Sequence, residues 1–221
     1  MTSRLVHIPA GPSGTIRLEG MLELPQRATG VVVFAHGSGS SRHSPRNNYV
    51  ALVLRNAGLG TLLIDLLTPQ EDGDPETRFD IPRLTHRLLT ATHWLQDEKD
   101  TRTLPVGYFG ASTGAAAALA AAAAEGPEIA AMVSRGGRPD LAGERALIRV
   151  PCPTLLLVGG DDQAVMVLNQ QALAALRCEK KMVVVPGATH LFEEPGALEQ
   201  VARRAATWFS TFMPPASARS R

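Results

Sequence analysis

A chain of 221 residues, 44% of them apolar and 19% charged, is long enough for one α/β domain, or at most two small ones, and can bury a sizeable core. Its 22 Lys and Arg against 21 Asp and Glu leave a formal charge of +1, which argues against a global field that would draw nucleic acid, an anionic membrane or an acidic partner. Two cysteines without C-x-x-C spacing, six scattered histidines, no membrane-length apolar stretch and no signal-peptide-like start point to a cytoplasmic chain with no disulfide scaffold and no metal site.

The first patterned stretches, Thr15–Leu18 and Gly20–Leu24, alternate apolar with polar residues and predict antiparallel edge strands that end at Pro25. Val31–Ala35 reads as a buried strand, followed by a helix from about Asn47 to Asn56 that Gly58 and Gly60 close. Thr61–Asp65 is the next strand, and the acidic stretch through Glu71, Asp72, Asp74, Glu76 and Asp80 reads as a solvated loop. Pro82–Glu98 carries Leu84, Leu88, Leu89, Ala91 and Leu95 at helical spacing. Val106–Phe109 is a strand, and the alanine run that starts at Ala115 is a high-propensity helix. Strands follow at Ile129–Val133, Pro153–Val158 and Lys181–Val185, with helices at Val165–Leu176 and Gly196–Phe212. This alternation predicts a mostly parallel sheet with helices on both faces and antiparallel edge strands at the N-terminus. Residues 1–213 are expected to form a single domain, and Pro214–Arg221 a disordered tail. Only Ser134–Cys152 separates two of the strands, room for a loop and one short helix but not for a lid domain. With 5% aromatic residues, an open and largely aliphatic pocket is expected.

In an open parallel sheet, ligands bind beyond the carboxyl ends of the strands. Four segments converge there: His36-Gly37-Ser38-Gly39-Ser40-Ser41, Gly110-Ala111-Ser112-Thr113-Gly114, Gly159-Gly160-Asp161-Asp162 and Pro186-Gly187-Ala188-Thr189-His190. A serine at a sharp strand-to-helix turn leaves no room for side chains two positions to either side, which accounts for Gly110 and Gly114. The helix that follows aims N–H groups and a partial positive charge at any anion forming beside Ser112. The blander alternative is a glycine-rich loop with a capping serine. Acyl transfer requires each of these residue types: a hydroxyl nucleophile, an imidazole to take and return its proton, and a carboxylate to fix the imidazole's tautomer. Two preorganised N–H donors are also needed for the oxyanion, assigned to the backbone of Ser38 and Thr113.

These four segments resemble a serine α/β-hydrolase of the dienelactone-hydrolase-like branch, over a span from Thr15 to Phe212. The resemblance implies the α/β-hydrolase fold with Ser112, Asp162 and His190 as catalytic residues. Dienelactone hydrolases proper use a cysteine nucleophile. The serine here departs from that pattern, so the likeness is to the family's serine esterase-like members and the dienelactone substrate does not carry over. By family analogy the acid stands three residues after Gly159, at Asp162, which leaves Asp161 as a loop-capping carboxylate. His36 is read as propping its loop by hydrogen bonding. Arg42, Arg135 and Arg138 are candidate substrate contacts that either clamp a substrate carboxylate or pair with loop acids such as Asp140 and Glu144. The implied activity is hydrolysis of small soluble esters or lactones through an acyl-serine, with a small-molecule substrate and no cofactor. An acyltransferase or thioesterase built on the same triad, and a non-catalytic hydrolase-fold binding protein, are the alternatives.

Overall fold

The computed structural model describes residues 1–11, 14–125 and 129–215. Among them, eight strands join in one sheet: β1 (Thr2–Ala10), β2 (Ile16–Leu24), β3 (Val31–Ala35), β4 (Gly60–Ile64), β5 (Val106–Ala111), β6 (Ile129–Arg135), β7 (Thr154–Gly159) and β8 (Lys180–Val185). Their spatial order is β1-β2-β4-β3-β5-β6-β7-β8. The β1–β2 and β2–β4 pairs are antiparallel and the remaining pairs are parallel. Every residue of β3, β4, β5 and β7 is buried, as expected of strands covered on both faces. At the β8 edge, Lys180 and Lys181 are exposed, a charge pair that discourages pairing with another chain.

The N-terminal edge differs from expectation. Thr15–Leu18 and Gly20–Leu24 are not two strands: the chain runs through Gly20 as one strand, β2, and its hairpin partner is β1. Within β1, Val6, Ile8 and Ala10 are buried while Leu5, His7 and Pro9 face solvent, a period of two at a position where an edge strand tolerates proline. The acidic stretch differs too. It folds into two single-turn helices, α2 (Pro69–Asp72) and α3 (Pro75–Arg78). Thr68 and Glu71 form a reciprocal capping box on the first, and the Asp74 side chain accepts the Glu76 N–H on the second.

Six longer helices cover the sheet: α1 (Pro45–Asn56), α4 (Ile81–Asp97), α5 (Thr113–Glu125), α6 (Glu144–Arg149), α7 (Gln163–Ala175) and α8 (Ala197–Phe212). On one face, α1 and α8 pack against Val32, Phe34, Leu63, Phe109, Val133 and Leu157. On the other, α4, α5, α6 and α7 pack against Val33, Tyr108, Met132 and Leu156. Ala115, Ala116, Ala117 and Ala118 are fully buried, and their small side chains let α5 sit against β3, β5, β6, α4 and α6 at once. Between β6 and β7 the chain makes a 3-10 turn at Pro139–Ala142 and then α6, with no large lid. The expected tail lies outside the described residues from position 216 onward. No helix among the described residues is long and apolar enough to cross a membrane.

Candidate active site

The turn between β5 and α5 is made by Ser112 alone. β5 ends at Ala111, α5 begins at Thr113, and Ser112 takes a φ of 50°, in the left-handed region that a side chain enters only under strain. Backbone bonds hold it from both sides. Its N–H donates to the Arg135 carbonyl at 3.2 Å, and its own carbonyl accepts from Ala115 and Arg138, each at 3.1 Å. The flanking glycines answer to contact rather than to flexibility. A methyl group at Gly114 would stand 2.1 Å from the Ala35 oxygen, and one at Gly110 would stand 2.4 Å from the Ala115 Cα.

Three residues far apart in sequence meet at this turn. The His190 Nδ1 lies 2.7 Å from Asp162 Oδ2, and its Nε2 lies 3.4 Å from Ser112 Oγ. An ionised carboxylate only accepts, so Nδ1 carries the proton and the Nε2 lone pair faces the serine hydroxyl. The 3.4 Å contact is longer than a tight hydrogen bond, as such contacts are before the substrate draws them in. Asp162 also caps α7, its Oδ1 accepting the Val165 N–H at 3.4 Å. Asp161, the alternative acid, is exposed and has no hydrogen bond to His190 among the described residues; its N–H donates to the Ala188 carbonyl at 2.9 Å.

The acid and histidine loops interlock. A methyl group at Gly159 would come within 2.3 Å of the Ala188 oxygen, so the two turns approach each other backbone to backbone. Two residues past His190, Phe192 adopts a φ of 57° and buries its ring among Val185, Ala197 and Phe209. In the sequence, Phe192 close behind His190 is already a signal for a fixed turn; its left-handed φ and buried ring are what the structure adds.

On the other side of Ser112 lies the loop after β3. His36 props it, as expected: Nδ1 faces the Gly37 carbonyl at 3.0 Å and Nε2 accepts the Leu66 N–H at 3.1 Å. Ser38 departs from expectation. Its N–H, assigned to the oxyanion, donates instead to Thr113 Oγ1 at 2.8 Å. The physical reason is that a backbone N–H left unpaired is costly, and the threonine hydroxyl reaches across to satisfy it. The Thr113 N–H lies in the first turn of α5, where N–H groups have no partner within the helix. Beside this loop is a cavity of about 220 Å³ lined by residues that include His36, Ser40, Asp65, Leu67, Pro69 and Asp72.

The candidate arginines divide. Arg42 pairs with Asp65 and reaches Glu19 at 2.6 Å. Arg138 forks onto Asp140 at 2.9 and 2.7 Å, a hydrogen-bonded pairing that holds its guanidinium above the usual pKa. Both are thus neutralised by loop acids. Arg135 is not: it is 8% exposed, and its Nε and Nη1 are sealed from solvent without an acceptor among the described residues. Burial first, and then Arg46, push its pKa down to about 10, which leaves it charged at neutral pH. Among the described residues, no group of three or more His, Cys, Asp or Glu is placed to hold a metal ion.

Comparison with known proteins adds to this geometry. The sequence profile of the α/β hydrolase family matches residues 21–204. A Mycobacterium tuberculosis protein, named provisionally as a phosphoribosyl transferase, is 58% identical over 204 residues, which cover 92% of this chain and 45% of that protein. An uncharacterised protein of the same organism is 29% identical over 170 residues, covering 64% of this chain and 56% of its own length. The chain thus spans about half the length of the curated relatives it matches. Among solved structures, a dienelactone hydrolase from Anabaena variabilis shares 54% identity at a TM-score of 0.90, over 96% of this chain and 98% of that one. Est1E from Butyrivibrio proteoclasticus superimposes at a TM-score of 0.78 with 17% identity, over 95% of this chain and 98% of that one, which shows a shared fold.

Proposed function

The chain belongs to the α/β-hydrolase family as a dienelactone-hydrolase-like member, and on that premise we propose that it is a serine hydrolase cleaving small carboxylic esters or lactones. One observation carries this reading: the continuous relay from Asp162 through His190 to Ser112 Oγ, with contacts of 2.7 and 3.4 Å. In the proposed reaction, Ser112 Oγ attacks the substrate carbonyl while His190 Nε2 takes its proton. Asp162 keeps the Nδ1–H tautomer in place and stabilises the imidazolium that forms. The tetrahedral oxyanion develops at the N-terminus of α5, beside the Thr113 N–H, where donors and helix dipole are already oriented. Collapse expels the alcohol, which collects the proton from His190 and leaves an acyl-serine. Water then repeats the sequence with His190 as base, and no cofactor enters.

Arg135 is the finer part of the reading. With Arg42 and Arg138 committed to acids, it is the candidate arginine left without an acidic partner among the described residues, which keeps it as the proposed contact for an anionic group of the substrate. The dienelactone hydrolase neighbour supports an ester-type carbonyl as the electrophile. The transferase name belongs to proteins of which the match covers 45%.

The test is labelling. A fluorophosphonate probe is expected to modify the protein once, at Ser112, with loss of activity on 4-nitrophenyl acetate or butyrate. Ser112→Ala should resist the probe and lose about 10³-fold or more in kcat. Probe attachment at another residue, or turnover at the wild-type rate in Ser112→Ala, would overturn the reading.

A further inference from the structure

The segment Arg135–Arg138, where β6 ends, lies between the nucleophile and the histidine. The Arg135 carbonyl accepts the Ser112 N–H at 3.2 Å, and the Arg138 N–H donates to the Ser112 carbonyl at 3.1 Å. Gly136, at a φ of 51°, backs onto the histidine turn: a methyl group there would stand 3.2 Å from the His190 carbonyl oxygen and 3.5 Å from His190 Nδ1. Asn169, two turns into α7, holds this segment in place. It is fully buried, and its Nδ2 donates to the Gly137 carbonyl at 2.9 Å and to the Val165 carbonyl at 2.8 Å. Both partners only accept, so both hydrogens of the amide are in use. The Val165 N–H is in turn the donor that Asp162 Oδ1 accepts at 3.4 Å. A chain of contacts therefore runs from Asp162 through Val165, Asn169, Gly137 and Arg138 to the Ser112 carbonyl. It joins the acid to the nucleophile by a route that bypasses His190.

We propose that Asn169 is a positioning residue for the relay: by tying the Gly137 carbonyl to α7, it sets the distance between Ser112 and the Asp162–His190 pair. It touches no reacting atom, and its hold on Ser112 passes through main chain. The need for it lies in the turn. Ser112 sits at a φ of 50°, and a strained conformation persists only where its surroundings over-determine it. Gly137 is buried, so without the amide its carbonyl would lack a donor, and the segment would shift to find one. Such a shift carries the Arg135 carbonyl and the Arg138 N–H with it, and Ser112 with them. The 3.4 Å approach of His190 Nε2 to Ser112 Oγ is already long, so further separation breaks it. A misplacement of about 1 Å can cost about 10²-fold in rate. This inference rests on the serine-hydrolase reading of Ser112.

The experiment separates positioning from plain stability. Asn169→Thr keeps much of the volume, and its hydroxyl can still bond the Val165 carbonyl within the helix, but it is too short to reach Gly137. If Asn169 sets the spacing, kcat on a short-chain 4-nitrophenyl ester falls about 10- to 10²-fold while KM stays within about two-fold. The rate of fluorophosphonate labelling at Ser112 should fall by the same factor, since it draws on the same contact with His190. Asn169→Ala repeats the measurement should the threonine variant fold poorly. Thr101→Val is the control for stability alone. It deletes another buried bond, 2.6 Å to the Leu95 carbonyl, in the loop that precedes β5, whereas Ser112 follows that strand. It should lower the melting temperature and leave kcat and labelling per folded molecule at wild type. Wild-type kcat in a folded Asn169 variant, a matching loss in Thr101→Val, or a wild-type labelling rate beside a reduced kcat overturns the inference. Failure of the underlying reading looks different: the fluorophosphonate would then miss Ser112 in the wild-type protein itself.

Discussion

The nucleophile and its two partners are held by different means. At the elbow, Ser112 is clamped by main chain alone: three backbone hydrogen bonds and two glycines whose α-carbons touch neighbouring backbone. Opposite it, Asp162 and His190 stand on loops that follow β7 and β8 and meet backbone to backbone, and side chains are added to that contact: a 2.7 Å carboxylate–imidazole bond, a helix cap and the buried ring of Phe192. The first arrangement stores strain in a rigid turn. The second adds side-chain contacts, one of them reaching the reacting hydroxyl, to a backbone approach of its own. Each side therefore has its own way to fail.

The elbow should break hardest. In Gly114→Ala the added methyl group would meet the Ala35 and His36 carbonyl oxygens at 2.1 and 2.4 Å, and neither is a flexible side-chain end. We expect loss of soluble, cooperatively folded protein, read by expression and thermal melting. A variant that melts like the wild type would show that the turn is looser than its contacts imply.

The relay should fail in activity before it fails in folding. Asp162→Asn keeps an oxygen for the α7 cap but presents the wrong partner to Nδ1, so kcat is expected to fall about 10³- to 10⁴-fold with little change in stability. Asp162→Ala loses the cap as well, and about 1 kcal/mol of stability with it. Asp161→Asn should stay within a few-fold of wild type, and the reverse ranking would move the acid to Asp161. Phe192→Ala tests the anchor. Truncating a fully buried aromatic costs about 3–5 kcal/mol, and the melting temperature should drop while residual activity reflects a misplaced His190.

The contrast also explains what could be read in advance. The parallel sheet and the elbow were legible because apolar runs and paired glycines are local signals, visible without knowing what lies across the fold. β1 was not, since its alternation is interrupted by Pro9, which only an edge position makes acceptable. The two small helices at Pro69 and Pro75 were hidden behind their charge, although Thr68 and Glu71 spell a capping box. Chemistry alone did not separate Asp161 from Asp162; family analogy did, and the cap on α7 supplies the physical reason that one carboxylate turns inward. Least legible were partners joined by side chains across the fold. Arg46 meets Glu193, 147 positions away, and the Thr113 hydroxyl meets Ser38, 75 positions away, with nothing in the local pattern to announce either.

Arg138 gives the smallest expected effect and the sharpest separation of the two modes of support. Its backbone N–H braces the Ser112 carbonyl at 3.1 Å, while its side chain turns away to fork onto Asp140. The pair is partly exposed, with side-chain exposures of 37% and 27%, so water screens it and its contribution is about 0–1 kcal/mol. Arg138→Ala should therefore leave kcat/KM within a few-fold and shift the melting temperature by a few degrees at most. If the elbow depends on main chain, deleting this side chain cannot reach Ser112. A large loss of activity on uncharged esters would mean that the Arg138–Asp140 fork sets the path of the chain over the elbow, and the division between backbone-held nucleophile and side-chain-held relay would have to be redrawn.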